Sequence, residues 1–124
     1  MRTRTARVSS LLVAAAIGVS TAALAVPARA DDAPYVGTWS LDPANCQAGQ
    51  ESENAPLVIA KDRYDQHESH CTFKSVTAKD SDWKIAAECT AEGAPLAYDF
   101  TLTVSGDTLT FTDTGGARDF LRCK

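Results

Sequence analysis

From residue 35 to the end of the chain, apolar and polar positions alternate with a period of two. Tyr35, Gly37, Trp39 and Leu41 alternate with Val36, Thr38 and Ser40, which predicts a first strand. Asp42-Pro43 reads as a cap followed by a first-turn proline, so a short helical turn carries Cys46. Residues 47–56, QAGQESENAP, are polar and aperiodic and form the longest loop signal. Residues 57–61 predict a second strand and Asp62-Arg63 a turn. Residues 64–77 read either as one long bent strand or as two, broken near Ser69 and His70. A turn at residues 79–82 separates them from a strand with Trp83, Ile85, Ala87, Cys89 and Ala91 on one face. Glu92-Gly93-Ala94-Pro95 turns the chain again, and Leu96, Tyr98, Phe100, Leu102 and Val104 share the next face. Leu109 and Phe111 mark another strand over residues 108–113, and residues 118–123 the last.

Seven or eight short strands separated by turns every 8–12 residues, with no helical pattern among them, predict an all-β antiparallel meander. Closure into a small barrel removes its edges; a two-sheet sandwich is the alternative. The predicted core is Trp39, Leu41, Ile59, Phe73, Trp83, Ile85, Leu96, Tyr98, Phe100, Leu102, Leu109 and Phe111. Eight strands give an interior that side chains fill, leaving little room for a ligand.

Residues 1–30 carry a different pattern. Arg2, Arg4 and Arg7 precede an apolar, alanine-rich run over residues 8–26, and Ala28-Arg29-Ala30 supplies a small-x-small cleavage site. That is the signature of a secretory signal peptide, so residues 31–124 are expected to form one exported domain, periplasmic or extracellular. Removing four arginines leaves eight basic residues against sixteen acidic ones, a mature net charge of −8. This argues against nucleic acid or anionic lipid as a partner, since both need basic patches. No apolar run of 18 or more residues follows Ala30, so no membrane insertion is expected.

All four cysteines, Cys46, Cys71, Cys89 and Cys123, lie in the mature part. An even count in a small exported chain predicts two disulfides, and the absence of Cys-x-x-Cys argues against zinc. Four cysteines allow three connectivities. If residues 64–77 are one strand, Cys71 faces Cys89 across the turn and Cys46 joins Cys123, the arrangement we prefer; if they are two, Cys46–Cys71 becomes reasonable.

Candidate chemistry is sparse. His67, Glu68 and His70 are the one cluster with metal-ligand residue types, and Asp65 would extend it. Residues 67 and 70 point to opposite faces of a regular strand, so they converge only if the chain turns at Ser69. Exposed polar residues near a turn are the better account. No Gly-x-Ser-x-Gly is present and the cysteines are expected to be oxidised, so no catalytic group and no cofactor are assigned. The loop residues Gln50, Glu51, Ser52, Glu53 and Asn54 are the binding candidates, because loops on rigid scaffolds carry binding function.

The Gly-x-Trp opening, GTW at 37–39, resembles lipocalin-like barrels. Over the mature length the chain is similar to small exported bacterial proteins of unassigned function. It shares with them GTW, HESHC at 67–71, Trp83 with Cys89, EG at 92–93 and the final Arg122-Cys123. It also resembles, more loosely, bacterial inhibitors of secreted metalloproteases, which are exported small barrels with Gly-x-Trp in the first strand and a flexible N-terminal trunk. The chain departs from those in its four-residue lead-in before Tyr35 and in its four cysteines. These resemblances imply a barrel architecture; the disulfide-stapled barrel, the acidic surface and the loop at residues 47–56 point to an exported non-enzymatic binding module, in one version an inhibitor or modulator of an envelope or secreted hydrolase. A lipocalin-like carrier of a small apolar ligand and a metal-binding module are the alternatives.

Overall fold

A computed structural model describes residues 33–124 and Gly18; the expected signal peptide lies outside the described residues. Eight strands follow one another: β1 (Gly37–Ser40), β2 (Leu57–Ile59), β3 (Arg63–Gln66), β4 (Ser69–Lys79), β5 (Asp82–Ala91), β6 (Ala94–Ser105), β7 (Thr108–Asp113) and β8 (Gly116–Arg122). A 3-10 turn, Pro43–Asn45, is capped by the Asp42 carboxylate on the Ala44 amide at 2.9 Å. Every strand is antiparallel to the next, and β1 pairs with β8 to close a barrel. The sandwich alternative is thereby excluded.

The long segment 64–77 is two strands, yet it breaks earlier than expected. The turn falls at residues 67–68, where His67 adopts the left-handed φ of 52° that histidine tolerates better than most residues. The break leaves β4 eleven residues long, so Cys71 still lies opposite Cys89 on β5. Both preferred disulfides form, Cys71–Cys89 and Cys46–Cys123. Such bridges fit an oxidising compartment.

Inward positions recur every second residue. Trp39, Leu57, Leu102 and Leu109 are fully buried, with Ile59, Phe73, Ile85, Phe100 and Phe111 around them. Aromatic rings fill much of the space, Phe100 stacking on Phe111 at 4.7 Å between centroids. Trp83 and Tyr98 pack against this core half-buried. Leu41 and Leu96 do not belong to it, being 60% and 51% exposed. Leu41 has inward parity, but β1 stops at Ser40, whose hydroxyl donates to the Asp42 carbonyl as the chain turns away. Leu96 pairs with buried Cys89 on β5 but has no β7 residue on its other side to cover it. Tyr35, Leu57, Tyr64 and Phe120 complete the core in addition to the expected residues.

The physical role of the Gly-x-Trp sequence is visible at the closed end. Trp39 donates its indole N–H to the Tyr35 carbonyl at 3.0 Å, and the Arg122 guanidinium lies 4.1 Å over its ring. A Cβ on Gly37, whose φ is 151°, would sit 2.8 Å from Arg122 Nη1. Glycine therefore lets the guanidinium reach the carbonyls of Pro34 and Val36.

Candidate functional site: the barrel mouth

The turns β3–β4, β5–β6 and β7–β8 and the segment before β2 gather at the end opposite Arg122. There the packed layers stop. Leu57, Tyr64, Cys89, Tyr98, Phe111 and Phe120 wall a cup of about 320 Å³, with Gln66, Leu96 and Arg118 at its margin. The filled interior expected from the sequence thus holds at the Trp39–Leu102–Leu109 level and gives way at the mouth. Cys89, bridged to the equally buried Cys71, is part of this wall.

A polar triad lies at the margin. The Tyr98 hydroxyl donates to Asp113 Oδ2, and Arg118 Nη2 donates to the same oxygen at 3.0 Å. The Gly115 amide donates to Asp113 Oδ1 at 2.8 Å. The Arg118 guanidinium also covers the Phe111 ring at 5.4 Å. The Tyr98 bond, then the Gly115 amide and the Arg118 charge hold the Asp113 carboxyl below the usual carboxylate range, against the opposing effect of burial. Burial first, then the bond to Asp113 and its negative charge push Tyr98 up to about 12.

All three tyrosines shift the same way, because burial also raises Tyr64 and Tyr35. A pKa raised on folding contributes stability that is full below the unfolded value of 10.0 and is lost as pH climbs through the folded value. In an alkaline titration, tyrosinate absorbance should therefore stay low at pH 10, where free tyrosine is half ionised. The share of it from Tyr98 should rise only towards about 12, together with loss of near-ultraviolet dichroism. Half-ionisation at pH 10 in the folded protein would contradict the buried, Asp113-bonded setting of Tyr98.

Beside the cup lies a shallower depression lined by Glu53, His67, Glu68 and Glu92, which shares Gln66, Ser69 and Ala91 with it. The two form one face, apolar in the centre and acidic on one flank.

The loop candidates meet this face but are not free. Gln50 accepts from the His67 amide at 2.7 Å through Oε1 and donates to the Pro56 carbonyl at 3.0 Å through Nε2. Ala55 and Pro56 are buried, and Gln66 donates to the Ala55 carbonyl at 3.2 Å. Glu51, Glu53 and Asn54 stay exposed, while Ser52 is half-buried and accepts from the Asn54 amide. Gln50→Ala should remove two bonds of about 1 kcal/mol each and unpin the loop. Hydrogen exchange at the His67 amide would then accelerate while the amides of β5 stay protected; equal protection in variant and parent would show that Gln50 is not the tether.

The histidines do not converge. The His67 ring meets the Gln50 carbonyl at 3.1 Å through Nδ1, whereas the His70 ring contacts Asp65 Oδ1 at 2.7 Å on the outer face. Arg63 binds the same carboxylate at 2.7 Å. Burial raises the Asp65 pKa, but the bonds from Arg63 and His70 and their charges outweigh it and hold the carboxyl low. Glu68 lies on the turn between the two histidines. Among the described residues no group of three His, Cys, Asp or Glu side chains is placed to hold a metal ion.

No protein family, curated protein or solved structure matches this chain.

The sequence reading did not single out Tyr64, Tyr98, Asp113 and Arg118 as a site. A signal for two of them was present. Asp113 continues the inward row of Leu109 and Phe111, and Arg118 that of Phe120, so each puts a charge on an apolar face near one end. Among the described residues, no helix is long and apolar enough to cross a membrane.

Proposed function

We propose that the chain is an exported, non-enzymatic binding module whose barrel mouth docks a protein partner. In its most specific form it is an inhibitor or modulator of an envelope or secreted hydrolase. The observation that carries this reading is the mouth itself: an apolar cup continuous with a flank bearing Glu53, Glu68 and Glu92, on a barrel braced by two disulfides. A buried anchor side chain within a charged surround is the arrangement that dominates protein interfaces. With a mature net charge of −8, the favoured partner surface is basic, and opposite charge steers its approach.

Affinity capture tests this with residues 31–124, disulfides intact, against the envelope and medium of the source cells. The expected result is a stoichiometric partner released by salt. Binding should fail in the triple variant Glu53→Lys, Glu68→Lys, Glu92→Lys, and should weaken when residues 50–54 become a Gly/Ser linker. A partner held equally well by the triple variant would overturn the mouth as the docking face.

The size of the cup supports one other reading, a carrier of a small apolar ligand, since 320 Å³ lies at the lower end of ligand-pocket volumes of about 300–1,000 Å³. A melting temperature raised by fatty acid, haem or retinoid would favour that reading over a protein partner.

A further inference from the structure

β6 outruns β7 at the mouth, because β7 ends at Asp113 and turns into β8. Their last paired residues are Thr101↔Thr112. Beyond that pair, residues 94–99 of β6 keep β5 on one side and, among the described residues, have no strand on the other.

Hairpin geometry tells which backbone groups face the gap. The turns at residues 92–93 and 106–107 are two residues long, flanked by the pairs Ala91↔Ala94 and Ser105↔Thr108. Flanking pairs of such hairpins exchange hydrogen bonds, and bonded and non-bonded pairs then alternate along an antiparallel ladder. Cys89↔Leu96 is consequently bonded, while Thr90↔Pro95, Glu88↔Ala97 and Ala86↔Asp99 are not. The 4.0 Å Cα separation at Cys71↔Cys89, short as in a non-bonded pair on the β4 side, gives the same phase. Ala97 and Asp99 therefore aim N–H and C=O at the gap. Pro95 adds a carbonyl, and its missing N–H costs the β5 ladder nothing.

Both sides of the gap are shaped to receive side chains. On the inner side Leu96 and Tyr98 border the cup. On the outer side a groove of about 530 Å³ runs past Asp99, Thr101, Thr112 and Thr114, with Asp113 and one lysine, Lys84, also lining it. The other one-sided stretches among the described residues carry basic side chains: residues 116–120 of β8, short of the Ser40↔Leu121 pair, carry Arg118. Residues 74–79 of β4 extend past the Arg63↔Thr72 pair and carry Lys74 and Lys79, the kind of charge that guards a strand edge. Residues 94–99 (APLAYD) contain no basic residue.

We propose that residues 94–99 of β6 are a strand-addition site for an extended segment of a basic partner protein. The added strand bonds Pro95, Ala97 and Asp99, drops alternate apolar side chains into the cup, and turns lysine or arginine outward to Asp99 and Glu92. This rests on the mouth being the docking face and states how the partner engages it. A second copy of the chain is a poorer occupant, because two β6 edges would bring Asp99 of each acidic copy together.

The test uses the disulfide-bonded protein and a blocked seven-residue peptide, Lys-Val-Lys-Phe-Lys-Val-Lys, followed by calorimetry and amide NMR. Its controls are the same peptide N-methylated at alternate residues and a version with glutamate for lysine. The expected result is shifted Ala97 and Asp99 amides, with N-methylation and Ala97→Pro each weakening binding by about tenfold or more, as loss of one or two backbone bonds implies. Ala97→Pro leaves the β5 ladder intact; should that variant not fold, the N-methylated peptide on the parent protein decides the matter alone. Peptide that shifts the Glu68 and Glu92 amides but is indifferent to both changes overturns strand addition and leaves the docking face standing. Peptide that shifts neither region overturns both, and concentration-dependent self-association through β6 replaces the partner by a second copy.

Discussion

Cys46→Ala together with Cys123→Ala should lower the free energy of unfolding by about 4–5 kcal/mol. The bridge spans 77 residues, and loop-closure entropy for a loop of that length is of this size. The native state adds a reason to expect the full effect. The pairing that closes the barrel, β1 with β8, consists of just Trp39↔Arg122 and Ser40↔Leu121. The Cys123 amide donates to the Thr38 carbonyl at 2.9 Å beside them, so the bridge sits on a joint of the cylinder only two residue pairs wide. Domains of this size are stable by roughly 5–15 kcal/mol, and each kcal/mol lost lowers the melting temperature by about 4–8 °C. Guanidinium and thermal melts of parent and variant check this. A loss below about 1 kcal/mol would mean that packing alone holds the joint, against the chain-entropy account. The second bridge encloses 18 residues, and the same account gives about 3 kcal/mol for it.

Trp39→Ala should be comparably severe. The side chain is wholly buried, and large-to-small changes of this kind cost about 3–5 kcal/mol through lost burial and the cavity left behind. Two partners suffer as well: the Tyr35 carbonyl loses its indole donor and the Arg122 guanidinium loses the ring beneath it. The variant should melt at least about 12 °C below the parent, on the scale of 4–8 °C per kcal/mol. Trp39→Phe keeps most of the volume and should lose only about 1–2 kcal/mol, chiefly the hydrogen bond and part of the cation–π contact. Denaturation followed by far-ultraviolet dichroism separates the two. If alanine and phenylalanine prove equally mild, Trp39 is not the anchor of the closed end.

The strand pattern could be read from the chain because alternation is a local property and each turn announces itself. Glu92-Gly93 adopts φ of 50° and 80°, the two positive values a tight hairpin needs. Element ends were less legible. Pro95 looked like part of that turn, yet it lies inside β6 on a stretch whose second neighbour has gone. Leu41 and Leu96 illustrate the complementary limit. Parity tells which way a side chain points but not whether a neighbour covers it: β1 stops before Leu41, and β7 stops before it reaches Leu96. The mouth was missed for a related reason. Its walls come from all the strands β2 to β8, and no window of sequence contains them together. The Gln50–His67 contact, seventeen residues apart, is equally invisible to a local reading, so the loop looked free when it is tethered.

The meander also constrains the order in which the barrel assembles. Of its eight strand pairings, seven join strands adjacent in sequence, and only β1 with β8 joins distant ones. Contacts between near neighbours form quickly, while a long loop must be closed before distant ones repay it. Folding should therefore run through hairpins to an open, curled sheet, with β1 meeting β8 last. Until then both outer strands are exposed as templates for another chain. Oxidation of Cys46 with Cys123 makes that final encounter hard to reverse, so in the absence of an oxidant the joint reopens more readily and those outer strands stay exposed for longer.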